Sequence, residues 1–226
     1  MTLTLTDLDR DGAIREALEN VGGDSRAGFL RKATVGSAAL VGAIAATPTA
    51  AAATSRRDVA ILNYALTLEY LQAAFYTEAE REGALRGKAA RAAGVVGPVE
   101  RAHVIAFRKA LGKAAVKRPT FNFQGTTEDQ GRFLETAVAF EDLAVAAYKA
   151  QAPRIQSPAI LAVAVSIHSV EARHAAWMRR LVGILPAASP FDDGIDRAEA
   201  FRIVDATGFV TTSATTRAKG KPRFTG

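Results

Sequence analysis

Apolar positions recur in steps of three and four along four stretches of the chain, and each stripe carries acids at its centre. The first stripe runs Leu62, Leu66, Ala73 and Tyr76 around Glu69, and the second Val96, Phe107 and Leu111 around Glu100 and His103. The third runs Leu134, Val138, Val145 and Tyr148 around Glu141, and the fourth Ala164, Ile167, Met178 and Leu181 around Glu171 and His174. Such steps mark one face of an α-helix. The spacing therefore predicts an all-α fold with four amphipathic helices. The first starts near Asp58, a good N-cap residue, and runs to about Arg81, with Gly83 and Gly87 ending it. The second covers about 87–111 with a kink near Pro98, the third about 127–150 and the fourth about 158–182. Between helices two and three lies 115–126, with Phe121 and Phe123 expected to pin it to the helices. At ~3.3 Å per extended residue it can cross the length of a bundle. Beyond the fourth helix, 186–210 predicts a turn and a short helix, with Phe201, Ile203 and Phe209 packing back. Asp192, Asp193 and Asp196 in this stretch lack the spacing and terminal Glu of a calcium loop. From Thr211 onward the composition predicts disorder.

Two halves of the helical region repeat each other. Glu-x6-Tyr occurs as Glu69 with Tyr76 and as Glu141 with Tyr148. Val-Glu-x-x-His follows each, at Glu100/His103 and at Glu171/His174. The offsets agree, 72 residues from Glu69 to Glu141 and 71 from Glu100 to Glu171. Two of the chain's three histidines fall in the repeated motif. A Glu and a His at i, i+3 share a helix face. One Glu from each of two helices plus Glu-x-x-His from each of two others is the ligand order of a four-helix bundle that holds two metal ions. Four buried carboxylates would otherwise repel one another and lose their hydration. Two divalent cations balance their charge with none left over, and a mixed Glu/His set leaves iron and manganese as the natural candidates. Glu69, Glu100, His103, Glu141, Glu171 and His174 are therefore the candidate ligands. One Glu of each Glu-x-x-His pair is the candidate to bridge the ions. Tyr76 and Tyr148 read either as packing residues or as hydrogen-bond partners of ligand carboxylates. His168, one turn before Glu171 and without a counterpart in helix two, reads as a half-buried neighbour of the site.

The segments Asn63-Tyr64-Ala65-Leu66-Thr67-Leu68-Glu69-Tyr70-Leu71 and Ala139-Phe140-Glu141-Asp142-Leu143, with both Glu-x-x-His pairs, resemble the ferritin-like superfamily. Within it, the chain is similar to exported ferritin-like domain proteins related to desiccation-related proteins. The resemblance covers roughly 55–185. It implies a ferritin-like four-helix bundle with a long crossover between helices two and three, and a short C-terminal extension. It also implies that the six matching residues bind two iron or manganese ions per chain. Many relatives react with dioxygen or peroxide, some store iron in a closed homo-oligomer, and the desiccation-related branch has no defined activity. Three readings stay open: an exported redox protein of ferroxidase, peroxidase or catalase type; a stress-protective protein whose metal only holds the bundle together; and an iron store.

Composition changes this picture at the ends of the chain. At 226 residues the length suits one domain with extensions, divided here into 1–54, 55–185 and 186–226. The absence of cysteine excludes disulfides and thiolate ligands. Residues 1–24 are polar and acidic, with only a short helical pattern near 13–21. Ser25-Arg26-Ala27-Gly28-Phe29-Leu30-Arg31-Lys32 then leads into an apolar run of about 14 residues from Ala33, closed by Pro48 and by small residues at Ala50 and Ala52. That order predicts an export signal, similar to a twin-arginine signal whose second arginine is replaced by Ala27, with cleavage near Ala52. The competing reading is an uncleaved anchor over 33–53, which is weakly apolar for a stable span. The whole chain carries a formal +6, and cleavage after Ala52 would leave +7. No nucleic-acid motif accompanies this charge, and no basic stripe is interleaved with aromatics.

Overall fold

The computed structural model describes residues 54–211. Four long helices make the body: α1 Arg56–Glu82, α2 Gly87–Leu111, α3 Gln130–Gln151 and α4 Pro158–Leu181. A short α5, Arg197–Ala206, follows. α1 packs along α2, and α3 along α4. The two hairpins are joined by the long crossover 112–129. It contains two 3-10 turns, Gly112–Ala114 and Thr126–Glu128, and the short strand β1, Thr120–Phe121. This is the all-α ferritin-like bundle expected from the sequence.

Local chemistry sets the boundaries, and it moves several of them. α1 is capped by Ser55, whose Oγ accepts from Asp58 N at 3.0 Å. Asp58 is therefore not the N-cap predicted for it. Its buried carboxylate instead accepts from Gln156 N at 2.9 Å and Ser157 N at 3.0 Å, which ties the start of α1 to the start of α4. Gly83 closes α1 in a left-handed conformation (φ 62°), which glycine adopts without steric cost. α2 has the predicted span and runs through Pro98 as one helix. α3 starts three residues later than expected, capped by Asp129. Thr127, expected in its first turn, lies in the preceding 3-10 turn and donates its hydroxyl to buried Glu78 at 2.7 Å. Ser157 caps α4, with Pro158 in its first turn.

The core departs from the expected stripes mainly in α3. Phe133, Ala137 and Phe140 are buried, whereas Leu134 and Val138 are only half-buried. Phe75 explains the choice. Its ring stacks on Phe133 at 5.0 Å and meets Phe123 and Phe140 edge-on at 5.3 and 5.2 Å. Phe121 and Phe123 are buried, so the crossover is pinned as expected. In the C-terminal extension Phe209 packs on Phe123 and Phe140, and Phe201 meets Tyr64 edge-on. Ile203 does not pack back: it is 37% exposed, and Ala200 and Val204 fill the buried side of α5. β2, Val210–Thr211, pairs antiparallel with β1 in the register Thr120↔Thr211 and Phe121↔Val210. Thr211 is thus ordered by pairing, where disorder had been expected to begin. The expected helical pattern near 13–21, the expected export signal and the tail after Thr211 lie outside the described residues.

Candidate metal centre

The six candidate ligands arrive from four different helices. Glu69 comes from α1, Glu100 and His103 from α2, Glu141 from α3, and Glu171 and His174 from α4. All four carboxylates are fully buried, and the imidazoles keep only 9% and 6% exposure. They form two sets, Glu69/Glu100/His103/Glu171 and Glu100/Glu141/Glu171/His174. In each set the ligand atoms lie within 4.8 Å of one another. Donors held at about 2.1 Å around one ion stand ~3–4 Å apart, so the size is right.

Glu100 and Glu171 belong to both sets, and the distances show how they divide. His103 Nδ1 is 3.3 Å from Glu69 Oε2, 3.5 Å from Glu100 Oε2 and 2.9 Å from Glu171 Oε1. His174 Nδ1 is 2.8 Å from Glu100 Oε1, 3.6 Å from Glu141 Oε2 and 3.9 Å from Glu171 Oε2. Each shared carboxylate turns one oxygen to each set. The two terminal acids, Glu69 and Glu141, each turn only Oε2 inward.

Their other oxygens are taken by tyrosines, across the bundle. Tyr76 of α1 donates to Glu141 Oε1 of α3 at 2.5 Å, and Tyr148 of α3 donates to Glu69 Oε1 of α1. The exchange follows from the repeat. In antiparallel helices, a Tyr seven residues beyond its own Glu comes level with the Glu of the other helix. Hydrogen bonding to carboxylates was foreseen as one reading of the tyrosines; the crossing was not.

The remaining atoms are Glu69 Oε2, Glu141 Oε2, both oxygens of Glu100 and of Glu171, and Nδ1 of His103 and of His174. All eight are buried without a hydrogen-bond partner. The imidazole nitrogens approach several oxygens at once, but no contact has the direction of an N–H donor bond. Buried polar atoms are otherwise almost always satisfied. An orphan set made of inward-facing donor atoms, with the outward ones satisfied by tyrosine, fits a pair of cations at its centre. Carboxylate and imidazole without thiolate suits hard to intermediate divalent ions.

Electrostatics in the metal-free protein carries the strain of this arrangement. Burial pushes Glu171 well above the usual carboxylate range, with Glu100 and Glu69 adding to it. Burial raises Glu69 to about 7 against the pull of His103, and also raises Glu141. Glu100 is the exception: burial acts upward, but His103 and His174 outweigh it and hold it at about 2. Burial acts downward on both imidazoles and is overridden by the carboxylates, which raise His174 to about 10 and His103 well above its ordinary value. Burial and the adjacent carboxylates raise Tyr76 and Tyr148 far above the phenol value, so both remain donors.

His168 joins neither set. It is half-buried on α4, its Nε2 lacks a partner, and burial and Lys149 depress its pKa. Gln72 was not singled out from the sequence. It is buried one turn after Glu69 with its Nε2 unpartnered, and its counterpart in the repeat is Ala144. No helix among the described residues is long and apolar enough to cross a membrane.

Comparison with known proteins places most of this bundle. The family model for the ferritin-like domain matches residues 57–184, which spans α1 to just past α4. No curated protein matches the chain.

Proposed function

The chain belongs to the ferritin-like domain family, and from that premise and the eight orphaned ligand atoms we propose an exported di-metal carboxylate protein that performs redox chemistry with dioxygen or peroxide. The observation that carries the reading is the division of Glu100 and Glu171, each offering one oxygen to either set. Iron or manganese, two ions per chain, fits the donor set. Held by these residues, the ions would supply redox equivalents to a small oxidant such as dioxygen or peroxide.

The protein's own part is to hold and orient. Glu69 with His103 and Glu141 with His174 serve as the terminal ligands, and Glu100 with Glu171 as bridges. Each tyrosine hydroxyl fixes its carboxylate so that Oε2 alone faces inward. The core excludes bulk water from the carboxylates, and the residual exposure lies at the two imidazoles. A small oxidant would therefore approach from the α2–α4 side. Export is supported by the basic, apolar, small-residue order of 25–52.

Anaerobic titration with Fe(II) or Mn(II) should saturate near two equivalents per chain, and a Glu100→Ala/Glu171→Ala double variant should lose this. The loaded protein should then consume O2 or decompose H2O2. Stoichiometric binding with no turnover of either oxidant, and a sharp fall in melting temperature on chelation, would replace this reading by a metal that only holds the bundle together. N-terminal sequencing of natively expressed protein tests export: a soluble cytoplasmic chain beginning at Met1 contradicts it.

A further inference from the structure

One end of the bundle is strongly basic. Three segments meet there: the start of α1, the end of α2 with the first residues of the crossover, and the turn between α3 and α4. Asn63 of α1 ties the second segment down, donating to Ala114 O at 2.9 Å and accepting from Val116 N at 2.8 Å. Asp58 ties down the third through Gln156 N and Ser157 N. Arg56, Arg57, Arg108, Lys109, Lys113, Lys117 and Arg154 all project from these segments and are exposed. None of the ion pairs among the described residues involves any of them. The only acid within 54–64, 105–118 and 152–161 is Asp58, which is buried and already bonded. The loop after α4 also reaches this end: Asp192 pairs with Lys149 in the last turn of α3 at 3.9 Å, Gly194 lies against Ala150, and Asp193 and Asp196 are exposed.

Seven cations without an ion-pair partner among the described residues outnumber the three acids of the loop after α4 and raise a positive potential at this end. The α1 and α4 N-termini add to it and the α2 and α3 C-termini oppose it, so helix dipoles largely cancel there. The patch lacks the aromatic interleaving of a nucleic-acid surface. Residue 54 stands at this end, directly after the segment read as an export signal or anchor. We propose that this end docks on an anionic phospholipid surface. The contact is electrostatic, without insertion of a helix. Glu69 is 13 residues along α1 from Arg56, so the metal centre would stand about 20 Å from the docked end.

The test uses the full chain, with vesicles of neutral phosphatidylcholine and vesicles containing 30 mol% phosphatidylglycerol. The readout is the ratio of binding to anionic over neutral vesicles, so affinity of the N-terminal apolar run for either lipid cancels. A charge near an anionic surface contributes about 1 kcal/mol. An Arg56→Gln/Arg57→Gln/Arg108→Gln/Lys109→Gln variant should therefore lower the ratio by ~100-fold or more. Added salt should lower it in the wild type too. A control set at the opposite end, Lys88→Gln/Arg91→Gln/Arg132→Gln/Arg180→Gln, removes the same charge and should largely keep the ratio. Circular dichroism and metal stoichiometry confirm that both variants fold. Equal losses in both sets would reduce the effect to net charge and overturn the proposal, as would no anionic preference in the wild type. Competition by millimolar inorganic phosphate would reassign the end to free phosphate. Tighter binding to a short DNA duplex than to the vesicles would reassign it to nucleic acid.

Discussion

The crossed tyrosines lead to a prediction that residue order along a helix would not give. Tyr76 lies on α1 with Glu69, yet its hydroxyl holds Glu141 on α3. Tyr76→Phe should therefore weaken the ion bound by Glu141 and His174, and Tyr148→Phe the one bound by Glu69 and His103. Removing the hydroxyl leaves a buried carboxylate oxygen unsatisfied, a cost of about 1–3 kcal/mol. The metal-free protein escapes part of this, because burial raises Glu141 and lets it take up a proton. The loaded protein needs the carboxylate ionised, so most of the cost falls on metal binding. At about 1.4 kcal/mol per decade, the expected loss is about 10–100-fold at one of the two ions, within the range typical of groups that orient ligands. Anaerobic competition titration against a chelator resolves the two binding steps. A double-mutant cycle then identifies the partner: Tyr76→Phe should couple to Glu141→Gln by about 0.5–3 kcal/mol and distinctly less to Glu69→Gln. Equal coupling to both acids, or stronger coupling to Glu69, would refute the crossed arrangement.

The repeat made the centre legible because its chemistry is written in residue types that a buried helix face otherwise avoids. Glu69, Glu100, Glu141 and Glu171 stand out in their stripes, and the i, i+3 histidines follow a matched offset. What the sequence hid depends on contacts between distant segments. Asp58 has the residue type of an N-cap, but its partners Gln156 and Ser157 are about a hundred positions away. In α3, two neighbouring stripes satisfy the helical period. Leu134 with Val138 is as apolar as Phe133 with Ala137, and only the Phe75 ring decides between them. β1 and β2 are two residues each, too short for an alternating pattern, and their pairing depends on Phe209 packing under the crossover. Gln72 carries no signal at all in the repeat, since its counterpart is Ala144.

Phe75→Ala should cost about 3–5 kcal/mol, since the ring is fully buried amid Phe123, Phe133 and Phe140. A melting temperature lower by ~6–20 °C is expected, and a shift under 2 °C would mean that the cluster is not central to the core. Asp58→Ala orphans two backbone donors at the start of α4 and should destabilise by about 1–3 kcal/mol in denaturant unfolding. His168→Gln should leave metal stoichiometry unchanged by elemental analysis, because His168 belongs to neither ligand set. Loading the centre should release protons. In the metal-free protein His174, raised from 6.5 to about 10, holds a proton at pH 7, and Glu69, raised from 4.5 to about 7, holds one part of the time. Metal ligation needs neutral imidazole and ionised carboxylate, so both groups must give up those protons. Apparent affinity should therefore rise with pH up to about 10. The same shifts set the stability of the metal-free protein. A raised folded-state pKa contributes stability that is complete below the unfolded value and lost as pH climbs through the folded one. That loss runs from about 4.5 to 7 for Glu69 and from about 6.5 to 10 for His174. The metal-free protein should thus weaken steadily toward alkaline pH, and the loaded protein should not. Calorimetry in buffers of different ionisation enthalpy reads the proton release directly, and binding heats that do not change with the buffer would mean that the imidazoles are already neutral before an ion arrives.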